Sequence, residues 1–266
     1  MPTIKREIID PKTLSPAAKS SLIDELHATH AAIFDGVSKA DFGKYVVNSP
    51  AERTRIEVYR AEGRIVGYFA VHTFVRTIEG RQWVVVRAES GKLPSHRHGA
   101  RARLMIGEVL RVCARYPRAR KAFLGCFVHP SAYVVMGHVA PTMYPHWSKP
   151  TPAPVSSLMA GLADEFGLAK VPDATHEGVR SVGWITREDE RSRRSWVQRE
   201  CEMSSFYINA NPGYVEGHGL LILVPIDFAT LIEGSARQLR RSLRRTYDAL
   251  RSSIRRPAPR SRRLLT

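Results

Sequence analysis

A chain of 266 residues, 43% hydrophobic and 25% charged, has room for one large or two small globular domains and holds no apolar run of the ~18 residues that a membrane crossing needs. Its formal charge of +16 is uneven: residues 237–266 hold eleven arginines against one acid, a tail of +10, while the other 236 residues carry +6 from 30 basic and 24 acidic groups. Attraction for polyanions therefore belongs to the tail. Three scattered cysteines (Cys113, Cys126, Cys201) offer neither a disulfide framework nor a Cys-x-x-Cys metal pair, and with a start lacking a secretory apolar stretch they point to a cytoplasmic protein.

In chain order, Leu14 to Phe34 reads as a helix, with Ser15 as N-cap, Pro16 at the first position and Leu22, Ile23, Leu26, Ile33 and Phe34 as its apolar stripe. A short helix follows at Lys39 to Val47. Arg55–Tyr59, Ile65–Thr77 and Gln82–Arg87 are strands, joined by the glycine-bearing turns AEGR and IEGR as antiparallel hairpins. After LPSHRHGARARLM (residues 93–105) a helix runs to about Arg115, stopped near Pro117. Ala122–Val128 reads as a buried strand and HPSAYVVMGHV as a helix. The proline-rich PTMYPHWSKPTPAP leads to a helix at Val155–Phe166, and Ser181–Thr186, Ser204–Ala210 and Leu220–Ile226 read as three more strands. The class is a mixed α/β (α+β) sheet with one βα crossover after the third strand. At such a junction a helix N-terminus offers free amides to an anion.

The stretch at that junction has competing readings. His96 and His98 lack the further ligands that a zinc site needs, no metal site is expected, and no aromatic residue interleaves the arginines as nucleic-acid stacking would require. A solvated basic helix start remains open. Pro94-Ser95-His96-Arg97-His98-Gly99-Ala100-Arg101-Ala102 lies in register with P-x-x-R/Q-x-x-G-x-G/A, the loop of the GNAT-type acyltransferases, and Leu104 and Met105 match the apolar pair that opens their central helix. About residues 14–140 resemble that family in element order. Ala100 stands where the first glycine of the motif falls. The resemblance implies a GNAT-like fold in which the strand entering the loop and the next strand splay apart. It also implies an acyl-CoA cofactor, acetyl-CoA or longer, held by Arg97, His98, Gly99, Ala100, Arg101 and Ala102, with a backbone amide near Lys92 and Leu93 polarising the thioester carbonyl.

For the chemistry, the resemblance puts a base at Glu89, at the end of VVVRAES; next to Arg87 the same residue reads as a surface ion pair. The leaving-group acid of the family is a tyrosine where this chain has Met136. Tyr133, one turn earlier, and His129, at the strand end, are the stand-ins, against core packing and helix capping respectively. His27 and His30 share a helix face without making a site. The loop Asn209–Leu220 offers Tyr214, Glu216 and His218 to a substrate, or is simple turn chemistry.

Leu239, Leu243, Tyr247, Leu250 and Ile254 make a basic amphipathic helix at the end of the chain. Through residues 237–263 it suits an anionic membrane surface, nucleic acid or an acidic partner such as an acyl carrier protein, or it packs on the domain. The expected organisation is a GNAT-like acyl-CoA-binding core at 1–150, an extended C-terminal region at 151–236 that is either an elaboration of the fold or a second half bearing on substrate, and the tail at 237–266. The expected function is transfer of an acyl group from acyl-CoA or acyl carrier protein to an amine. The alternative is a non-catalytic GNAT-shaped binding protein tethered by its tail to nucleic acid or membrane.

Overall fold

The computed structural model describes residues 4–78, 80–96 and 103–227. The loop residues Arg97 to Ala102 and the basic helix expected at 237–266 lie outside them.

Helix α1 (Pro16–Ala31) starts as its sequence dictates: the Ser15 hydroxyl accepts from the Ala18 amide and Pro16 occupies the first turn, a cap worth about 1 kcal/mol. Before it lies strand β1 (Lys5–Ile9), which sequence reading missed because a five-residue edge strand with four exposed positions has no apolar alternation. A two-residue strand β2 (Phe34–Asp35) and the short α2 (Lys39–Phe42), continued by a π-turn at Gly43–Val47, come next. Strands β3 (Arg53–Ala61), β4 (Arg64–Ile78) and β5 (Arg81–Lys92) are the expected antiparallel meander. The β3–β4 turn places Glu62 and Gly63 at φ 51° and +78°, the left-handed pair that matches strand twist.

Helix α3 (Arg103–Arg115), strand β6 (Arg120–Phe127), helix α4 (Pro130–Val139) and helix α5 (Ala153–Glu165) follow in the expected order. The expected strand at Ser181–Thr186 is two pieces, β7 (Val179–Ser181) and β8 (Ile185–Thr186), broken at Gly183 with φ +77°. Helix α6 (Glu190–Val197) was not expected. The expected strand at Ser204–Ala210 is wrong: the segment is helix α7 (Glu202–Ala210), burying Ser204, Tyr207 and Ala210 at three-residue spacing. Its aromatic and β-branched content suggested a strand, but burial follows the helical period. Strand β9 (His218–Pro225) closes the order.

Seven strands form one sheet in the order β1-β3-β4-β5-β6-β9-β7, antiparallel throughout except for the parallel β5–β6 pair. One face carries α3, α4 and α7, around Leu104, Val112, Tyr133 and Tyr207. The other carries α1 and α2 over β3–β4, and α5 over β5, β6 and β9. Strands β7 and β9 thus place part of the 151–236 region in the same sheet as the first 150 residues.

The small strand pair β2–β8 depends on a contact between glycines. A Cβ on Gly36, at φ +89°, would meet the Gly183 carbonyl oxygen at 2.2 Å, whereas one on Gly63 meets nothing within 4 Å. Gly63→Ala is therefore expected to cost about 1 kcal/mol through conformation alone, and Gly36→Ala about 3 kcal/mol because overlap adds to strain. Denaturant unfolding of the two variants checks the difference, and equal losses would refute it.

Candidate acyl-thioester site

The parallel ladder is short. Trp83 to Val86 on β5 pair with Arg120 to Phe123 on β6, and pairing stops there, although β5 continues to Lys92 and β6 to Phe127. Each strand stays paired on its outer side, β5 with β4 as far as Lys92 and β6 with β9 as far as Phe127. The two therefore part beyond Val86 and Phe123, as the sequence resemblance implies.

Backbone alternation fixes which amides face the gap. The Leu93 amide donates to the Val66 carbonyl at 2.9 Å, and the β4–β5 register runs without a shift. Amides of one parity therefore turn to β4, and those of Ala88, Ser90 and Lys92 turn to the β6 side. This corrects the expectation for Leu93: its amide is spent on β4, and its side chain packs on the Tyr59–Val66 cluster. Ser90, which sequence reading did not name, has the amide that faces the opening. The Lys92 ammonium lies 4.9 Å above the Tyr59 ring, and burial followed by the Arg6 charge lowers its pKa.

Glu89 is not a surface ion pair. Its side chain is 17% exposed, and its Oε2 lies 2.8 Å from Nε2 of His72, which is buried on β4. On the other side of the ring, Nδ1 lies 2.9 Å from the Thr54 hydroxyl, so three adjacent strands contribute Thr54, His72 and Glu89 to one polar chain. Burial alone would push the Glu89 carboxyl up, but His72 and then Arg87 more than reverse it and hold it below the ordinary 4.5. His72 was visible in sequence only as a polar residue between Ala70 and Phe74, and its exposure could not be read. Nearby His30 is core: it packs against Phe34, Phe42 and Trp184, its Nδ1 is 2.9 Å from the Tyr68 hydroxyl, and burial lowers its pKa to about 4.

His129 caps α4. Its Nδ1 accepts from the Ser131 amide at 3.2 Å and contacts the Ser131 hydroxyl at 2.7 Å, so the ring proton sits on Nε2 and goes to Glu188 at 3.1 Å. Both partners are largely buried. Both ring nitrogens are thereby engaged, and His129 fastens the segment before α6 to the strand end instead of presenting a free proton. Tyr133 is core, against its expected role as an acid: it is fully buried, its hydroxyl donates to the Pro145 carbonyl at 3.0 Å, and burial raises its pKa. Of the Asn209–Leu220 residues, Tyr214 is buried edge-on to the His129 ring, 6.0 Å between centres. A cavity of ≈ 490 Å³ opens between Pro94, which follows β5, and His129, which follows β6. The rest of its lining comes from residues 186–199, among them Thr186, Glu188, Ser192, Trp196 and Arg199, a contribution of α6 and its flanks that no sequence signal announced.

No family model matches the chain, and no curated protein matches it. Among solved structures, a conserved protein of Enterococcus faecalis V583 aligns at 9% identity and TM-score 0.34 over 52% of this chain, which spans 33% of that protein. A ribosomal-protein-alanine N-acetyltransferase from Brucella melitensis aligns at 12% identity and TM-score 0.35, covering 56% of this chain and 98% of that one. A GNAT-family acetyltransferase from Streptococcus pneumoniae aligns at 9% identity and TM-score 0.34, covering 84% and 99%. The antiparallel meander, the helix crossover into a short parallel pair and the divergence beyond it are the features that the sequence resemblance implies.

Two outcomes follow from the geometry. Because its folded pKa is depressed, ionised Glu89 contributes stability above its unfolded pKa, and that contribution is lost as pH falls through the folded value. In His72→Leu the carboxyl stays buried without its partner and should titrate above the ordinary carboxylate range; carbon-13 NMR of the side-chain carboxyl checks this, and an unmoved titration would refute the pairing. In Glu188→Ala, amide exchange over 185–199 should accelerate while that of β9 does not, as hydrogen-exchange mass spectrometry would show.

Proposed function

We propose that the protein is an N-acyltransferase that carries an acyl group from an acyl thioester, acyl-CoA in the first instance, to an amine. The observation that supports this most is the gap between β5 and β6, with amide donors facing it and the P-x-x-R motif in the loop from β5 to α3. The gap accepts an extended thioester arm that takes the place of the missing strand partner. The Ser90 amide is the donor for the thioester carbonyl, stabilising the oxygen as it gains charge. Arg97 and the small residues Gly99, Ala100 and Ala102 would hold the pyrophosphate of the cofactor.

Glu89 is the general base. An ionised carboxylate at the splayed part of β5 takes the proton as the amine nitrogen bonds to the acyl carbon. The carbon–sulfur bond then breaks, and the thiolate takes a proton from solvent, since the Tyr133 hydroxyl is committed to Pro145 and the His129 proton to Glu188. His72 and Thr54 keep the base ionised in a buried setting.

Calorimetric titration of acetyl-CoA and a long-chain acyl-CoA should give saturable binding that Arg97→Glu weakens at least about tenfold, by loss of a charge-assisted contact and addition of a repulsive one. Glu89→Gln should retain that binding and lower thiol release by roughly 100-fold or more. Absence of binding of either thioester to the intact protein would sink the reading.

A further inference from the structure

The charge of the folded body is itself uneven. Residues 90–163 contain ten lysines and arginines and one acid, Glu108. That acid is buried and already holds Arg53 and Arg111, at 3.0 and 3.1 Å. Arg103, Arg115, Arg118 and Arg120 are exposed and have no carboxylate partner among the described residues. Arg103 stands at the start of α3, and the other three at its end and just beyond.

Between these arginines the outer side of α3 is apolar. Leu104 and Val112 face the sheet, and at about 100° per residue Ile106 and Leu110 point the opposite way. The exposed positions of the helix are Arg103, Ile106, Gly107, Leu110, Ala114 and Arg115, with neither an acid nor an uncharged polar side chain. On α4, in the same layer, the exposed positions are Val135 and Val139 alone, which turn away from the buried Tyr133 and Gly137. Four of the seven large apolar side chains exposed among the described residues thus share one helical layer. A helix that faces water carries polar residues on its outer side, so this layer is built to be covered. The basic tail leaves from its edge. Ile226 packs in the core beneath α3 and α4, and its amide donates to the Lys121 carbonyl at 3.0 Å, one residue before the described residues end.

We propose that the outer faces of α3 and α4 dock on an anionic lipid bilayer, with Ile106, Leu110, Val135 and Val139 entering the headgroup region and the flanking arginines meeting lipid phosphates. Other occupants answer less of the surface. A second copy of the chain, or the chain's own +10 tail, would bring arginine against arginine with no acid between them. Nucleic acid would answer the charge but not the four aliphatic side chains, and neither helix exposes an aromatic residue for base stacking. The remaining helix of the layer, α7, carries a single acid, Glu202. This surface is separate from the acyl-transfer reading, and either can fail alone.

The test sediments the full chain with vesicles of phosphatidylcholine, with and without phosphatidylglycerol. Anionic vesicles should bind at least about tenfold more strongly, and added salt should shrink the difference. Ile106→Glu with Leu110→Glu should lower that binding at least about tenfold. Tyr45→Glu, at an exposed apolar position on the opposite face of the sheet, should leave it unchanged. Should the α3 variant fail to fold, Val135→Glu with Val139→Glu gives the same loss from the second helix. Leu110→Trp should add fluorescence that brominated lipids quench, which a purely electrostatic contact would not produce. Vesicle binding that survives both pairs of substitutions belongs to the tail and overturns the docking face, as does absence of binding to anionic vesicles. A dimer that Leu110→Glu dissolves, or tighter binding to duplex DNA that the α3 pair weakens, assigns the face to another partner and overturns it too.

Discussion

The early end of the β5–β6 ladder is the constraint on which the rest of the molecule depends. Both strands have committed outer neighbours, so the sheet consists of two antiparallel halves, β1-β3-β4-β5 and β6-β9-β7, hinged on four parallel pairs. Backbone groups beyond the hinge cannot bond to each other, and buried peptide groups must find partners. Some are found within the chain: the Tyr207 hydroxyl donates to the Phe127 carbonyl at 2.7 Å, where β6 ends. The Ser90 edge of β5 is left facing the opening, which suits a ligand with its own amides and carbonyls.

The two faces of the sheet differ in character. The α3–α4 face packs an apolar core, in which Tyr133 and Phe206 stack. The α1–α5 face holds charge, and a buried carboxylate survives there only because His72 and Arg87 outweigh desolvation. Thr54 belongs to the same chain: its hydroxyl lies 2.9 Å from Nδ1 of the imidazole whose Nε2 is 2.8 Å from the Glu89 carboxylate. The ionised state of Glu89 is thus a property of three neighbouring strands and is lost if their register slips.

Much of the architecture was legible in the sequence. Hairpin turns at Glu62–Gly63 and Gly80, the Ser15–Pro16 start of α1 and the apolar runs of β5 and β6 are local signals, and local signals suffice for an antiparallel meander and a helix crossover. Glu89 was singled out only through the family resemblance, at the end of VVVRAES. Legibility failed where function comes from register or remote contacts. Leu93 was assigned an amide that β4 consumes, because parity along a strand depends on its partner. Tyr133 looked available because its carbonyl partner, Pro145, lies twelve residues on. His72 and Glu188 carry no motif at all, and what makes each notable is burial beside a partner supplied from another element.

The segment from Gly183 to Val197 shows how such remote contacts serve the opening. Its β8 strand pairs with β2, Arg187 forms an ion pair with Asp35, and the Arg187 amide donates to the Ile33 carbonyl, so this end is anchored at the foot of α1. One residue later, Glu188, just before the Asp189 cap of α6, reaches His129, which follows β6. One short segment is therefore tied to both halves of the sheet on either side of the divergence. A gap held only by its hinge would be free to close by pairing its exposed edges, the usual fate of unpaired strands. Anchors on both sides oppose that closure, and they do so with polar contacts at the rim, which leaves the ≈ 490 Å³ cavity between Pro94 and His129 open to a ligand.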